Sequence, residues 1–189
     1  MAQMSREAIE HMGFAAVGEN VMISDRASFY NCPRISIGNH VRIDDFCVLA
    51  AGVGGITIGN YVHIAVGSTL IGAGKITMSD FSGLSSRVSI YSSSDDYSGV
   101  AMTNPTVPQE FTNVMHADVF FGKHVIVGSG SVILPGVTLE EGVAVGALSL
   151  VSRDCKAFGI YFGNPARRIK ERKRDLLEME QRHLVSRHK

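Results

Sequence analysis

The stretch Phe121-Gly-Lys-His-Val-Ile-Val-Gly-Ser-Gly-Ser-Val-Ile-Leu-Pro-Gly-Val-Thr-Leu-Glu-Glu-Gly-Val-Ala-Val-Gly-Ala-Leu-Ser-Leu-Val151 decides the fold. Every sixth residue is large and apolar: Phe121, Val127, Ile133, Leu139, Val145 and Val151. The fifth residue of each hexad is smaller, Val125, Ser131, Val137, Val143, Ser149 and Cys155, and the second is often glycine, as at Gly122, Gly128 and Gly146. A period of six matches neither an amphipathic helix nor a plain alternating strand, so the segment is a repeat.

Working outward toward the N-terminus, the same hexads run from Val17 through Ile23 and Phe29, then Ile37, Ile43 and Leu49, then Ile58, Ile64 and Leu70, then Met78, Leu84 and Ile90. Two or three extra residues separate each group of three, giving start-to-start spacings of 20, 21 and 20 residues. Entry phrases recur as well: Ile35-Ser-Ile-Gly-Asn-His-Val, Ile56-Thr-Ile-Gly-Asn-Tyr-Val and Val119-Phe-Phe-Gly-Lys-His-Val. Six turns of three hexads result, and none of their 36 first and fifth positions is charged in a chain that is 19% charged. Those positions are expected to face inward. Each hexad then supplies one short flat strand with a large and a small residue for the interior of a triangular coil, and stacked coils pair strand on strand. The expected fold is all-β, a parallel β-helix of about six three-hexad turns.

The period breaks once, over residues 91–118. This inserted loop interleaves Tyr97, Asp95, Asp96 and His116 with Pro105 and Pro108, a mixture expected of a functional loop rather than of a uniformly polar linker. Residues 1–16 form an N-terminal helical segment in which Ser5 caps a helix over Arg6 to Met12 and Gly13 ends it. Residues 17–165 carry the β-helix, and residues 166–189 read as a C-terminal helix with Ile169, Leu176, Leu177 and Leu184 on a partial apolar stripe, capping the open end of the prism.

Composition excludes several classes of partner. Lys plus Arg and Asp plus Glu balance at 18 each, so no global field recruits nucleic acid. No apolar run suits a membrane span and the N-terminus lacks a signal pattern, so a cytoplasmic location is expected. Cys32, Cys47 and Cys155 are odd in number and scattered; Cys47 and Cys155 fall at small inward positions and read as buried structural thiols.

These repeats resemble the hexapeptide-repeat acyltransferases, and the run Gly159-Ile-Tyr-Phe-Gly-Asn-Pro-Ala-Arg-Arg-Ile-Lys-Glu-Arg-Lys-Arg-Asp resembles that family's usual end of the β-helix. The resemblance implies a left-handed coil and transfer of an acyl group, usually acetyl, from coenzyme A to a hydroxyl or amine. It also implies a homotrimer with active sites between neighbouring prisms. The loop phrases Ser-Ser-Asp-Asp-Tyr-Ser-Gly and Asn-Pro-Thr-Val-Pro resemble bacterial transferases that decorate O-antigen or capsule sugars. The expected acceptor is therefore a sugar, nucleotide-linked or part of a surface-polysaccharide precursor, with acetyl-CoA as donor and no metal.

By position, Ser129, Ala147, Ser152 and Arg153 match the family's cofactor contacts, and Lys170 matches a phosphate contact. Arg153 and Lys170 suit charge-assisted bonds to nucleotide phosphates. Transfer needs a base for the acceptor and a donor for the developing oxyanion. The family's early-loop histidine is missing here, where Ser94-Asp95-Asp96-Tyr97 stands. The candidate bases are His116 at the far end of the loop, Asp95 or Asp96 near the missing histidine, and His63 outward on a coil. Tyr97 and Asn104 are candidate sugar contacts; His40 and His124 read as structural corner residues. Two other classes remain open from the residues: a zinc hydrase of the β-helical carbonic anhydrase type, using His63, His116 and His124, and a non-catalytic β-helix scaffold.

Overall fold

A computed structural model describes residues 2–186. The hexads fold as their inward residues require. Strands Ala16–Val17, Ile35–Ile37, Ile56–Ile58, Ile76–Met78, Val119–Phe121 and Thr138–Leu139 stack in parallel as the first sheet. The second sheet is Met22–Ile23, Arg42–Ile43, His63–Ile64, Gly83–Leu84, Ile126–Val127, Ala144–Val145 and Gly159–Phe162. The third is Ser28–Tyr30, Val48–Ala51, Thr69–Gly72, Ser89–Tyr91, Val132–Ile133 and Leu150–Val151. The first strands of each sheet make coil one, the second strands coil two, and so on: six complete coils and a partial seventh.

One core fills the prism. Ile23, Ile43, Ile64, Leu84 and Val127 stack through it at 0 or 1% exposure, and Phe121 is likewise sealed. The inward rule fails at one corner: Val53, a fifth position, is 76% exposed. The extra residues between groups bulge out where the third sheet turns into the first, and they carry that position into solvent.

The other two corners turn through left-handed residues. At the first-to-second corner these are Asn20, His40, Tyr61, Phe81 and His124, with φ between 54° and 60°. Side chains larger than asparagine adopt this region at an energetic penalty. Stacking offsets part of it: ring centroids lie 4.8 Å apart for His40 and Tyr61, 4.7 Å for Tyr61 and Phe81, and 5.1 Å for Phe81 and His124, within the 4.5–7 Å range of favourable ring contact.

Helix α1, Arg6–His11, starts where Ser5 Oγ accepts from Ala8 N–H at 3.1 Å, and buries Ile9 against the core cluster. The C-terminal expectation needs correction. Residues 167–171 are a strand, antiparallel to Gly159–Phe162, because the open edge of the second sheet offers backbone partners that a helix there would leave unmet. Helix α2 is Asp175–Ser186, and residues 187–189 of the expected helix lie outside the described residues. Nor does α2 cap the end of the prism; it runs back along the aromatic corner. Arg174 sits over Phe158 of coil seven at 4.3 Å, Glu180 bonds His124 of coil five, and His183 meets Phe81 and Tyr61 of coils four and three edge-on. The match is geometric: three helical residues rise about 4.5 Å and one coil about 4.8 Å, so residues three apart meet successive coils.

Candidate active site

The inserted loop leaves at the third-to-first corner of coil four and is not structureless. Ser93–Ser94 pairs antiparallel with Met115–His116 to make its stem, and Asp118 Oδ1 accepts from Lys75 N–H at 2.7 Å where the chain rejoins the prism. A short 3-10 turn, Gln109–Phe111, braces the far side.

Three of the candidates meet in this loop. Asp95, Asn104 and His116 line one cleft of about 560 Å³ with Gln109, Thr112 and Asn113. Ser93 Oγ accepts from Ala73 N–H at 2.7 Å and lies 2.8 Å from His116 Nδ1. In the tautomer that uses the serine proton, Nδ1 accepts it, Nε2 keeps its own proton, and His116 offers the cleft a donor. Asn104 turns the chain at φ 74°, with Oδ1 accepting from Thr106 N–H at 3.0 Å and Thr106 Oγ1 at 2.6 Å. Tyr97 stands 92% exposed at the loop tip.

Asp96 has a different occupation. Its carboxylate accepts from the backbone N–H groups of Ser98, Val100 and Ala101, all at 3.0 Å, closing a turn. Bonding from Ser98 first, and then from the other amides, holds its pKa below the ordinary aspartate value. A carboxylate so occupied is a poor proton acceptor.

His63 is not in the cleft. It projects from the second sheet, the side of the prism facing away from the corner where the loop leaves. Its Nε2 donates to Asp44 Oδ2 at 2.8 Å, while Arg42 Nε donates to Asp44 Oδ1 at 2.7 Å. Burial acts to raise the Asp44 pKa, but the bonds from Arg42 and His63 and their charges outweigh it, and the net direction is down. In the neutral tautomer that donates from Nε2 to Asp44, His63 Nδ1 is left as an acceptor. Sequence reading missed Asp44 and Arg42. The signal was present: the second positions of the middle hexads are Ser24, Asp44, Ala65, Ser85, Gly128 and Gly146, and only Asp44 is charged.

The cofactor candidates fall into three places. Ser129 and Ala147 line one largely apolar groove of about 520 Å³ at the second-to-third corner, with Val66, Arg87, Gly130 and Leu148. Ser152 and Arg153 are exposed at the third-to-first corner of coil six. Lys170 lies on the 167–171 strand, opposite Ile160, rather than in a helix. Register places it at one end of an outward row on the second sheet: Arg42, His63, Gly83, Ile126, Ala144, Ile160, Lys170.

The histidine trio of the zinc reading does not gather in this chain. His63 is held by Asp44, His116 by Ser93, and His124 by Glu180 Oε2 at 2.7 Å under α2. Among the described residues no group of three or more His, Cys, Asp or Glu is placed to hold a metal ion. Burial pushes the Cys47 thiol up and the Cys155 thiol up to about 12, as suits structural thiols. No described helix is long and apolar enough to cross a membrane.

No family model matches the sequence. A dTDP-4-amino-4,6-dideoxy-D-glucose acyltransferase of Escherichia coli is 59% identical over 180 residues, spanning 95% of this chain and 94% of that protein. The solved structure of AntD, an N-acyltransferase from Bacillus cereus in complex with dTDP and 3-hydroxybutyryl-CoA, matches all of both chains with a TM-score of 0.95 and 46% identity. Another AntD structure, an alanine variant, holds dTDP-4-amino-4,6-dideoxyglucose and coenzyme A, with a TM-score of 0.93. A maltose O-acetyltransferase from Clostridium difficile, 22% identical with a TM-score of 0.56, shares the fold.

Proposed function

The chain belongs to the hexapeptide-repeat sugar acyltransferases, left-handed β-helix enzymes that draw on coenzyme A thioesters, and we propose that it acylates the amino group of dTDP-4-amino-4,6-dideoxyglucose. The observation that carries this reading is the 59% identity to an acyltransferase of that sugar, sustained over 95% of the chain. The aligned span of 180 residues takes in the inserted loop, the part of the chain least constrained by the repeat. Acetyl is the acyl group we assign.

In the proposed reaction the sugar amine attacks the thioester carbonyl. The new C–N bond forms, the C–S bond breaks, the amine loses a proton, and the departing thiolate gains one. Asp95 is the proposed proton acceptor, since its carboxylate opens on the loop cleft while that of Asp96 is engaged by backbone amides. His116, presenting Nε2–H, is the proposed donor to the carbonyl oxygen as charge develops there. Tyr97 and Asn104 contact the sugar nucleotide. Ser129 and Ala147 line the pantetheine track, and Ser152, Arg153 and Lys170 serve the cofactor phosphates. Because the groove and the loop cleft occupy different corners, the reading includes a homotrimer in which one subunit's loop faces its neighbour's prism.

The test is thiol release from acetyl-CoA with dTDP-4-amino-4,6-dideoxyglucose, compared with maltose and simple glycosides. Release with the amino-sugar nucleotide alone is expected, and Asp95→Asn is expected to lower kcat by about 10²–10⁴-fold. Equal release with maltose, or none with the nucleotide sugar from folded protein, contradicts the reading.

A further inference from the structure

Gly83 is the starting point. Of the 20 glycines, every other one either turns with φ in the left-handed range or has backbone or side-chain atoms within 3.0 Å of where a Cβ would stand. At Gly83 φ is ordinary, and a Cβ would meet only His63 O and Ile126 Cδ1, both at 3.6 Å. An alanine fits there without strain. A glycine inside a strand gives up about 0.5–1 kcal/mol relative to alanine through backbone entropy, so this glycine costs stability that neither turn geometry nor packing explains. Glycine in a strand interior that the fold does not need marks a place where something else approaches closely.

What borders the gap has a chemical order. Gly83 alternates with inward Leu84, so it opens outward, between Ile126 on one side and His63 on the other. Ile126 is 39% exposed and presents a methyl group. His63, its Nε2 fixed on Asp44, presents Nδ1. Arg42, next in the row, has its Nε on Asp44 and half its side chain exposed. Along about 14 Å, three inter-strand steps, the surface runs apolar, open, hydrogen-bonding, cationic.

We propose that the row Ile126, Gly83, His63 and Arg42 is the acceptor subsite, shaped for a nucleoside-diphosphate 6-deoxysugar. The sugar's C6 methyl packs on Ile126, its ring lies over the Gly83 gap, a ring hydroxyl donates to His63 Nδ1, and the diphosphate meets the Arg42 guanidinium. Asp44 is a positioning residue that holds both His63 and Arg42. This inference rests on the nucleotide-sugar reading above. It adds the surface of the prism that recognises the acceptor, across from the loop of a neighbouring copy.

The test is initial-rate kinetics of Gly83→Ala, His63→Ala, Asp44→Asn and the His63→Ala/Asp44→Asn pair, varying dTDP-4-amino-4,6-dideoxyglucose and acetyl-CoA separately. Gly83→Ala is expected to raise the acceptor KM about tenfold, the scale of one ill-fitting methyl group. The KM for acetyl-CoA should stay put, and the melting temperature should not fall. His63→Ala and Asp44→Asn are expected to raise the same KM, the double variant by no more than the worse single one. An unchanged acceptor KM in Gly83→Ala overturns the subsite, as does an equal rise in both KM values. Wild-type protein that releases no thiol with any dTDP-amino-sugar instead contradicts the function reading, and the subsite falls with it.

Discussion

At the scale of single residues, side chains that look alike in the sequence divide by what their neighbours leave free. Asp95 and Asp96 are adjacent carboxylates in one loop, yet three backbone amides occupy Asp96 and the cleft receives Asp95. We expect Asp96→Ala to speed proteolytic cleavage between residues 97 and 101 with little change in melting temperature, since the turn it closes lies outside the core; limited proteolysis beside a thermal melt checks this. The depressed pKa of Asp96 fixes the sign of a pH effect: a carboxyl whose pKa is lowered in the folded chain contributes above its unfolded value, 3.8, and the turn loosens as pH falls through the folded value below it. The sequence brought Asp95, Asn104 and His116 into one list from the loop's composition. It could not show that Ser93 engages His116 Nδ1, nor that Asp44 holds His63, because these bonds join residues 23 and 19 positions apart in the chain. Gly83 was hidden for a different reason. Glycine is common at turns of such a repeat, and only the space around each one in the fold sets this glycine apart.

At the scale of elements, α2 is tied to the prism by a small number of groups, and Glu180 is central among them. It accepts from Lys123 Nζ at 2.6 Å and from His124 Nε2 at 2.7 Å with its side chain 11% exposed. Arg172 adds a clamp, donating to the carbonyls of His124 at 2.7 Å and Gly142 at 3.0 Å. Burial works to raise the Glu180 pKa, but bonding and charge from Lys123 and His124 prevail and lower it. The stabilisation is therefore complete above the unperturbed value of 4.5 and lost as pH falls through the lower folded value. We expect Glu180→Gln to destabilise the protein by about 1–3 kcal/mol, the penalty for a buried partner left unsatisfied, and to remove most of the acid sensitivity of α2; circular dichroism at 222 nm against pH checks it. Here sequence reading went astray. Residues 166–174 are basic and long-chained, a good helical composition, but the unpaired edge of Gly159–Phe162 draws residues 167–171 into a strand, and tertiary pairing outweighs local propensity.

At the scale of the whole molecule, the six-residue period carried nearly all of the architecture, because a stacked coil places each hexad's first residue on the same inner wall. The exceptions, Val53 among them, gather at the corner where groups of hexads are joined. Each core row is shared by successive coils, so a cavity in one is felt by its neighbours. Ile64→Ala, at 0% exposure between Ile43 and Leu84, is expected to lower stability by about 2–5 kcal/mol in a single cooperative transition; urea denaturation read by fluorescence and circular dichroism together checks both the size and the coincidence. The prism supplies faces and corners, and the chemistry is assembled from what projects outward: a loop from one corner, a groove at another, and a row of unlike side chains on the second sheet. The direct test of that account is the product itself. Incubated with acetyl-CoA and dTDP-4-amino-4,6-dideoxyglucose, the protein is predicted to yield a nucleotide sugar whose NMR spectrum shows an acetamide at C4, coupled to the ring proton there. An acetyl ester on a ring hydroxyl with the amine unchanged, or unreacted sugar nucleotide, would contradict it.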